Sequence, residues 1–491
     1  MQFISRWIKY LFRSTNGLVL VAMSITAAVT AVLGTLSGPA AEWGIKDFMV
    51  RLLGFDLHPL QRVGRLIILY HTIAMAVIAI EVYFITAIVP IKNHEKTTIN
   101  ATVTVGYLAS MIFGLVFAYF GHNFLWHGIY LFGLSLIFYA GVLLAAALNP
   151  WKKEYYVTDR EYAHTKKGID LERIAFFTMT VATLGSALFG AAAGAFLGNG
   201  FEAFLAEDLI RVPHKSPLQL SVIGHLHIML ALIAVAITLV IGRWLDFKGN
   251  LQKVAMPCMI FGTIILTLGV WLVVPFEPIA HIIIYVGSTF VMFAALLLVI
   301  FGWRKLIRER LANQGITKAG FLTSVRALLH DPLKFGPLWQ MVFMNFNVSG
   351  IGIFMAAKLN DIIRVWPARD ERITLTGHWH ILSTLIASII LMYYADRVGL
   401  KGRLRQWFGW ILIIGTDIAF AAATLFSVKR LALSEFGQQT FVDVVMVCME
   451  IGLGLTLTIL FLFLLWRFVD MLAPNGSWNR DANNIKQQVG S

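Results

Sequence analysis

Thirteen histidines occur in the chain, and eight of them lie in or beside long apolar segments. These eight are His71, His122, His127, His225, His227, His281, His378 and His380. Imidazole transfers protons near neutral pH, and it also binds metals and heme iron. A single histidine inside a membrane is often explained by a hydrogen bond between helices, but a set of this size indicates a functional site.

Two of the apolar segments carry a pair of histidines separated by one residue. The pairs are His225-Leu226-His227 and His378-Trp379-His380. Because successive residues of an α-helix are about 100° apart, the two imidazoles of one pair point about 200° apart. Each pair is therefore suited to serve two cofactors on opposite sides of its helix, as in a wall shared by two hemes.

The elements that position these histidines are predicted to be membrane-spanning helices. Of 491 residues, 58% are hydrophobic and 14% are charged, a composition too apolar for a chain in water. A helix needs about 20 apolar residues to cross a bilayer. We predict spans at about 18–37, 65–91, 100–119, 122–147, 172–197, 219–243, 251–274, 278–301, 338–358, 373–395, 406–427 and 442–467.

The predicted fold is thus an all-α polytopic membrane protein with one integral membrane domain over residues 1–491. Its transmembrane core covers about 18–467, followed by a short cytoplasmic tail at 468–491. All eight histidines fall on even-numbered helices, near the start of each, which predicts one layer close to one membrane face. Helices 2, 6 and 10 begin their apolar runs with similar histidine motifs, which indicates three pseudo-symmetric arcs of four helices.

The basic residues predict the orientation of the chain in the membrane. They concentrate in the loops expected on the same side as the amino terminus, and positively charged loops remain on the cytoplasmic side. We therefore predict a multi-pass protein of a bacterial or archaeal inner membrane with a cytoplasmic amino terminus. The net charge of +13 is explained by topology and lipid contact, so a nucleic-acid partner is not expected.

Cysteine usage limits the kind of heme. Cys258 and Cys448 each lie within a predicted span, and the chain contains no Cys-x-x-Cys-His. Covalent attachment of a c-type heme is therefore excluded.

The chain resembles the catalytic subunit of the heme-copper oxidase superfamily, which includes cytochrome oxidases and nitric oxide reductases. The resemblance is carried by Tyr70-His71-Thr72, by His378-Trp379-His380 and by the twelve predicted helices. It implies that His71 and His380 are the axial ligands of a low-spin heme and that His378 binds a second heme. It also implies that Lys429 and Arg430 contact the heme propionates, and we expect Trp379 to contact a heme.

The chain departs from this family at the site of the second metal. The family places a His-His pair near the outer end of helix 7, where this chain has Leu268-Gly269-Val270-Trp271-Leu272-Val273-Val274. Copper or non-heme iron of the usual kind is therefore not expected. Instead, His225 or His227 is expected to reach the iron held by His378, giving a six-coordinate heme for electron transfer. The other helix 6 histidine would face His122, His127 or His281, which would supply ligands for a third heme.

We therefore predict a b-type membrane cytochrome with two or more hemes, a respiratory oxidoreductase subunit that passes electrons between quinol or a c-type cytochrome and a partner subunit. The segment 198–218 is a candidate docking surface for that cytochrome. One alternative is a terminal oxidase or nitric oxide reductase with an atypical second metal held by His225, His227 and His281. A second alternative is a cofactor-free transporter whose histidines relay protons.

Overall fold

The computed structural model describes residues 2–36, 41–162, 165–196, 216–358, 361–362, 365–366, 368–432, 435–473 and 476–479. Within these residues the protein consists of helices without β-strands, which confirms the predicted all-α fold. The α-helices are α1 (Gln2–Arg13), α2 (Thr15–Gly34), α3 (Ile45–Leu53), α4 (Arg62–Ile88), α5 (Asn93–Tyr119), α6 (Phe124–Ala147), α7 (Leu171–Phe196), α8 (Pro217–Trp244), α9 (Asn250–Asn313), α10 (Phe321–Leu328), α11 (Pro332–Val342), α12 (Ser349–Ala357), α13 (Ala368–Arg397), α14 (Gly402–Ala432) and α15 (Glu435–Leu472). Most of the predicted docking segment 198–218 lies outside the described residues.

Among the described residues, eleven helices are long and apolar enough to cross a membrane. One of them, α9, has 64 residues, which is about 96 Å of helix and far more than a bilayer requires. It is interrupted at Phe276, whose backbone is not helical, between Pro275 and Pro278. This break explains why one element accounts for two of the predicted spans, 251–274 and 278–301.

Glycine contacts show that the two halves of α9 pack antiparallel. A Cβ on Gly262 would lie 2.9 Å from Val291, and one on Gly269 would lie 2.9 Å from the Ile284 nitrogen. Gly262 contacts Val291, and Gly269, which is nearer to Phe276, contacts Ile284, which is also nearer to Phe276. The chain therefore reverses at Phe276, and the two halves form a helical hairpin. With α9 counted as two spans, the described helices provide twelve candidate membrane crossings.

The two ends of the described chain meet at one face of the helical bundle. The fully buried Arg467 of α15 donates a hydrogen bond to the Tyr10 hydroxyl, and Trp478 packs on Tyr10 with ring centroids 6.0 Å apart. The first span starts at Thr15 and the last ends at Leu472. The first span therefore starts at the same face at which the last span ends. This requires an even number of crossings.

We call the side that carries both chain ends the amino-terminal face. The basic residues of the predicted cytoplasmic loops lie on this face, and several are paired with acids. Arg405 contacts Asp331 at 2.8 Å and Asp396 at 2.6 Å. Burial opposes ionisation of Asp246, but the Tyr162 hydroxyl at 2.5 Å together with Lys248 and Lys305 lowers the pKa of this carboxyl. These pairs fix the loops between neighbouring spans.

A second irregularity lies between α11 and α12, where residues Phe343–Val348 form a π-helical segment. Short π-helical insertions are often found at functional sites because they shift the register of the following turn. Beyond the insertion, Gly352 of α12 lies close to the ring of His378, since a Cβ there would be 3.9 Å from His378 Cδ2. The insertion thus sets how α12 approaches the histidines.

Candidate functional site

Helices α4, α8 and α13 bring five of the predicted site histidines together. His71 is the tenth residue of α4, His225 the ninth of α8 and His378 the eleventh of α13. Contacts between His71 and His225, between His227 and His378, and between Tyr70 and His380 join the three helices at these positions. The five imidazoles, His71, His225, His227, His378 and His380, therefore form one layer, which lies near the face opposite the amino-terminal face.

His71 and His225 form the first pair between helices. Their ring centroids are 6.3 Å apart, and the ring planes are inclined by 65°. His225 Nδ1 lies 2.9 Å from the Ser186 carbonyl oxygen. Because a carbonyl only accepts, Nδ1 of His225 carries the proton and Nε2 carries the lone pair. His71 Nδ1 shares a hydrogen bond of 2.6 Å with the Tyr130 hydroxyl, in which either group can be the donor.

Gly190 of α7 provides the space that the His225 ring occupies. A Cβ at this position would lie 2.3 Å from both Nδ1 and Cε1 of His225. We expect Gly190→Ala to displace the ring, break its bond to Ser186 and destabilise the protein by about 1–3 kcal/mol. The midpoint of thermal unfolding in detergent measures the effect. Gly194→Ala is the matched control, since a Cβ there meets nothing within 4 Å. An equal midpoint for the two variants would contradict the prediction.

His227 and His378 form the second pair, with ring centroids 6.1 Å apart and planes inclined by 33°. Nδ1 of His227 lies 2.8 Å from the Ile223 carbonyl oxygen. The indole N–H of Trp379 donates to Nε2 of His227 at 3.2 Å, so this nitrogen carries the lone pair. The sequence analysis expected either His225 or His227 to lie near His378, and in the structure the ring that lies against His378 is that of His227. The structure also places Trp379 against the predicted ligands.

His380 has a different neighbour from the one that the family resemblance implies. Its Nε2 shares a hydrogen bond of 2.7 Å with the hydroxyl of Tyr70, the residue before His71. The ring of His71 lies instead against His225. The contacts thus pair His71 with His225, whereas the resemblance pairs His71 with His380.

The remaining histidines of the predicted layer lie beside this group. His122 and His127 have ring centroids 5.6 Å apart, and His127 lies 6.4 Å from Tyr130, the partner of His71. His281 stacks on Tyr285, one turn further along its own helix. Tyr130 and Ser186 contact the site without belonging to any motif, so no signal in the sequence distinguished them.

The basic pair Lys429 and Arg430 lies in the last turn of α14. Lys429 is buried, with Nζ 3.9 Å from the centre of the Phe426 ring. The Thr374 hydroxyl of α13 donates to the Ser427 carbonyl at 3.1 Å, which joins this end of α14 to α13 about one turn before His378. Lys429 and Arg430 are thus on the same face of the helical bundle as the histidine layer.

The ring centroids of each imidazole pair are about as far apart as those of two imidazoles bound to one metal ion. A ligating nitrogen lies about 2 Å from the metal, with the ring centroid about 1 Å further away, so imidazoles on opposite sides of one ion have centroids about 6 Å apart. Ligating histidines also typically donate their other N–H to a carbonyl or similar acceptor, as His225 and His227 do. Among the described residues, no group of three or more His, Cys, Asp and Glu side chains is placed to hold a metal ion.

Comparison of the chain with protein-family models gives no match, and comparison with curated proteins also gives none. The function is therefore argued from the histidine layer itself.

Proposed function

We propose that the protein is a b-type multiheme cytochrome of a respiratory membrane complex, which transfers electrons between quinol or a c-type cytochrome and a partner subunit. The observation that carries this proposal is the pair of imidazole contacts between helices, at 6.3 Å and 6.1 Å. Both pairs lie at one depth in a bundle of membrane-spanning helices. Two imidazoles on one iron give a six-coordinate, low-spin heme suited to electron transfer.

The chain supplies ligands, orientation and an apolar environment. His71 with His225, and His227 with His378, would hold the two hemes, and His227 would first have to release the hydrogen bond that its Nε2 accepts from Trp379. The carbonyls of Ser186 and Ile223 hold the ligating rings in one tautomer, which raises the basicity of the nitrogen that binds the metal. Lys429 and Arg430, in the last turn of α14, would neutralise propionates. Heme, when bound, supplies the one-electron redox chemistry.

We further propose that the amino-terminal face is cytoplasmic, because the basic loops lie on it. The histidine layer then lies near the outer leaflet, where a periplasmic cytochrome has access to it. Quinol in the bilayer is the other candidate donor.

The visible spectrum of the purified protein tests the proposal. Cells supplied with heme precursors should yield protein with about two b-type hemes per chain, and carbon monoxide should leave the reduced spectrum unchanged because neither iron has a vacant position. A folded but colourless protein would contradict the proposal and favour a cofactor-free transporter. A carbon monoxide shift would contradict it too, and would favour the gas-reducing alternative.

A further inference from the structure

The last span, α15, packs along α14 at the middle of the membrane. A Cβ on Gly415 of α14 would lie 3.1 Å from the Gly452 carbonyl oxygen of α15, and one on Gly452 would lie 2.5 Å from the Ala419 nitrogen. The candidate span of α14 covers Gly402–Ser427, and Gly415 is near its midpoint. Gly452 therefore lies near the centre of the bilayer.

Glu450 of α15 lies at this depth and points away from the helical bundle. It is two residues from Gly452, so the two positions differ by about 3 Å in depth and by about 160° around the helix. Gly452 and Phe463, which pack on α14 and on Tyr394 of α13, are buried, whereas Glu450 is exposed. Both surfaces of the bilayer are about 15 Å away, beyond the reach of a glutamate side chain. The Glu450 carboxyl therefore faces the interior of the membrane.

Thr458 provides a second polar group on this side of α15. It is about two turns from Glu450 and about 80° from it around the helix, and its side chain is exposed. The Thr456 hydroxyl donates to the Gly452 carbonyl at 2.9 Å. In contrast, neither Thr458 nor Glu450 has a hydrogen bond or ion pair with any residue that the structure describes. Two polar groups on one side of α15 thus have unused hydrogen-bonding capacity.

A glycine separates these two polar groups. Gly454 is one turn from Glu450 and one turn from Thr458, and a Cβ on Gly454 would meet nothing within 4 Å. Small residues allow the backbones of membrane helices to approach closely. We call the surface formed by Glu450, Gly454 and Thr458 the Glu450 side of α15. Its shape leaves room for a neighbouring helix.

Lipid does not satisfy the polar groups of the Glu450 side. The residues around them, Val447, Leu457 and Phe461, are apolar and exposed, as expected for any surface in contact with hydrocarbon. Acyl chains neither donate nor accept hydrogen bonds, so in lipid alone the carboxyl would have no partner. Ionisable groups within the membrane almost always face a protein partner or a water-filled cavity. The Glu450 side is therefore expected to contact another protein chain.

A second copy of this chain would not supply the missing partner. Residues 435–466 contain no Lys, Arg or His, so α15 offers no cation at this depth. Two copies related by a two-fold axis through the Glu450 side would place their Glu450 side chains at the same depth. Two facing carboxylates oppose each other's ionisation. A chain with a complementary charge fits this side better than a second copy.

We infer that the Glu450 side of α15 binds a transmembrane helix of a second subunit, and that this helix carries a lysine or arginine at the middle of the bilayer. The cation pairs with Glu450 through charge-assisted hydrogen bonds, which are stronger than bonds between neutral groups. Gly454 allows the two backbones to approach, and the Thr458 hydroxyl bonds across the contact. The proposed function includes a partner subunit without placing it, whereas this inference places one, and none of its evidence involves heme.

Transmembrane peptides of known sequence test the chemistry of this side. The probes are a polyleucine helix with one central lysine and the same helix with leucine at that position, each carrying an acceptor fluorophore. Full-length protein, with Cys258 and Cys448 replaced by serine, carries the donor on Leu472→Cys, an exposed position at the end of α15. Energy transfer in phosphatidylcholine liposomes then gives the affinity of each peptide.

The lysine peptide should bind at least tenfold more tightly than the leucine peptide, and Glu450→Leu should abolish this difference. Glu450→Leu is expected to fold because Glu450 has no bond within the described chain to lose. Phe261→Leu, at an exposed position of α9, is the matched control and should keep the difference. Equal affinities of the two peptides for protein with Glu450 would overturn the inference. Energy transfer between two labelled copies of the protein that Glu450→Leu abolishes would overturn it too, because a second copy would then occupy this side.

The complex purified from native membranes tests the same side in the cell. A membrane subunit with a lysine or arginine inside one of its transmembrane helices should co-purify with the tagged wild-type chain and with Phe261→Leu. Its amount should fall at least tenfold with Glu450→Leu, and exchanging the two charges, with Glu450→Lys and glutamate in place of the cation, should restore it. Equal amounts of every co-purifying subunit in the three proteins would overturn the inference. A complex without heme would contradict the proposed function but not this contact.

Discussion

His71→Ala protein is expected to contain one heme fewer than the wild type, and His378→Ala protein is expected to lose the other. In the proposed function each of these imidazoles holds an iron in an apolar membrane site where no water is expected to replace it, so the heme should dissociate when the imidazole is removed. Heme content per chain, measured as the pyridine complex, gives the result directly. Full heme content in both variants would show that the two imidazole pairs do not hold the hemes, and this would contradict the proposed function.

His225→Ala and His380→Ala distinguish the two pairings. The contact between His71 and His225 predicts that His225→Ala loses the same heme as His71→Ala. It also predicts that His380→Ala keeps both hemes and loses its bond to Tyr70. The family resemblance predicts the reverse. His281→Ala is the matched control, because this ring packs on its own helix and its removal should leave both hemes in place.

Arg467→Ala is expected to have the largest effect on stability. The Arg467 guanidinium is fully buried and donates to the Tyr10 hydroxyl, to Asp470 at 2.9 Å and to Ser477 at 2.9 Å. Breaking a buried ion pair by removing one partner costs about 3–5 kcal/mol. The midpoint of thermal unfolding should fall, and proteolysis within α1 should become faster because α1 loses its hydrogen bond to α15.

Arg6→Ala serves as the control for this prediction. Arg6 also joins the two chain ends, through a hydrogen bond of 3.4 Å to Asn479, but this bond is long and only partly buried. Its loss should change the unfolding midpoint little. If Arg467→Ala unfolded at the wild-type temperature, the contact between the chain ends would not contribute to stability.

The spans were predictable from the sequence because membrane helices need long apolar segments, and the two halves of α9 illustrate how well this works. Their predicted boundaries leave 275–277 between the spans, and the helical break is at Phe276. The prediction treated them as two separate helices, whereas helical structure continues on both sides of a break at the single residue Phe276. Pro275 and Pro278 mark the reversal, but proline also occurs inside α9 at Pro257, where the helix continues.

The histidine layer was also predictable, but its pairings were not. Depth follows from counting residues along each helix, so His71, His225 and His378 were expected at one level. Which imidazoles face each other depends on how each helix is rotated about its axis, and this is determined by packing. Gly190, which makes room for His225, and Tyr130, which bonds to His71, contribute to that rotation. Neither belongs to a recognisable motif.

The contact between Tyr10 and Arg467 also has a consequence for biosynthesis. The two residues are separated by 457 positions, and translation proceeds at about 5–20 residues per second. A nascent chain therefore exposes α1 for roughly 20 to 90 s before its partner at the far end of the chain has been made. During this interval the amphipathic α1 lacks the contacts with Arg467 and Trp478. The contact between α1 and α15 can form only after the last span has been synthesised. A ribosome that stalls before Arg467 therefore leaves a chain in which α1 lacks this contact.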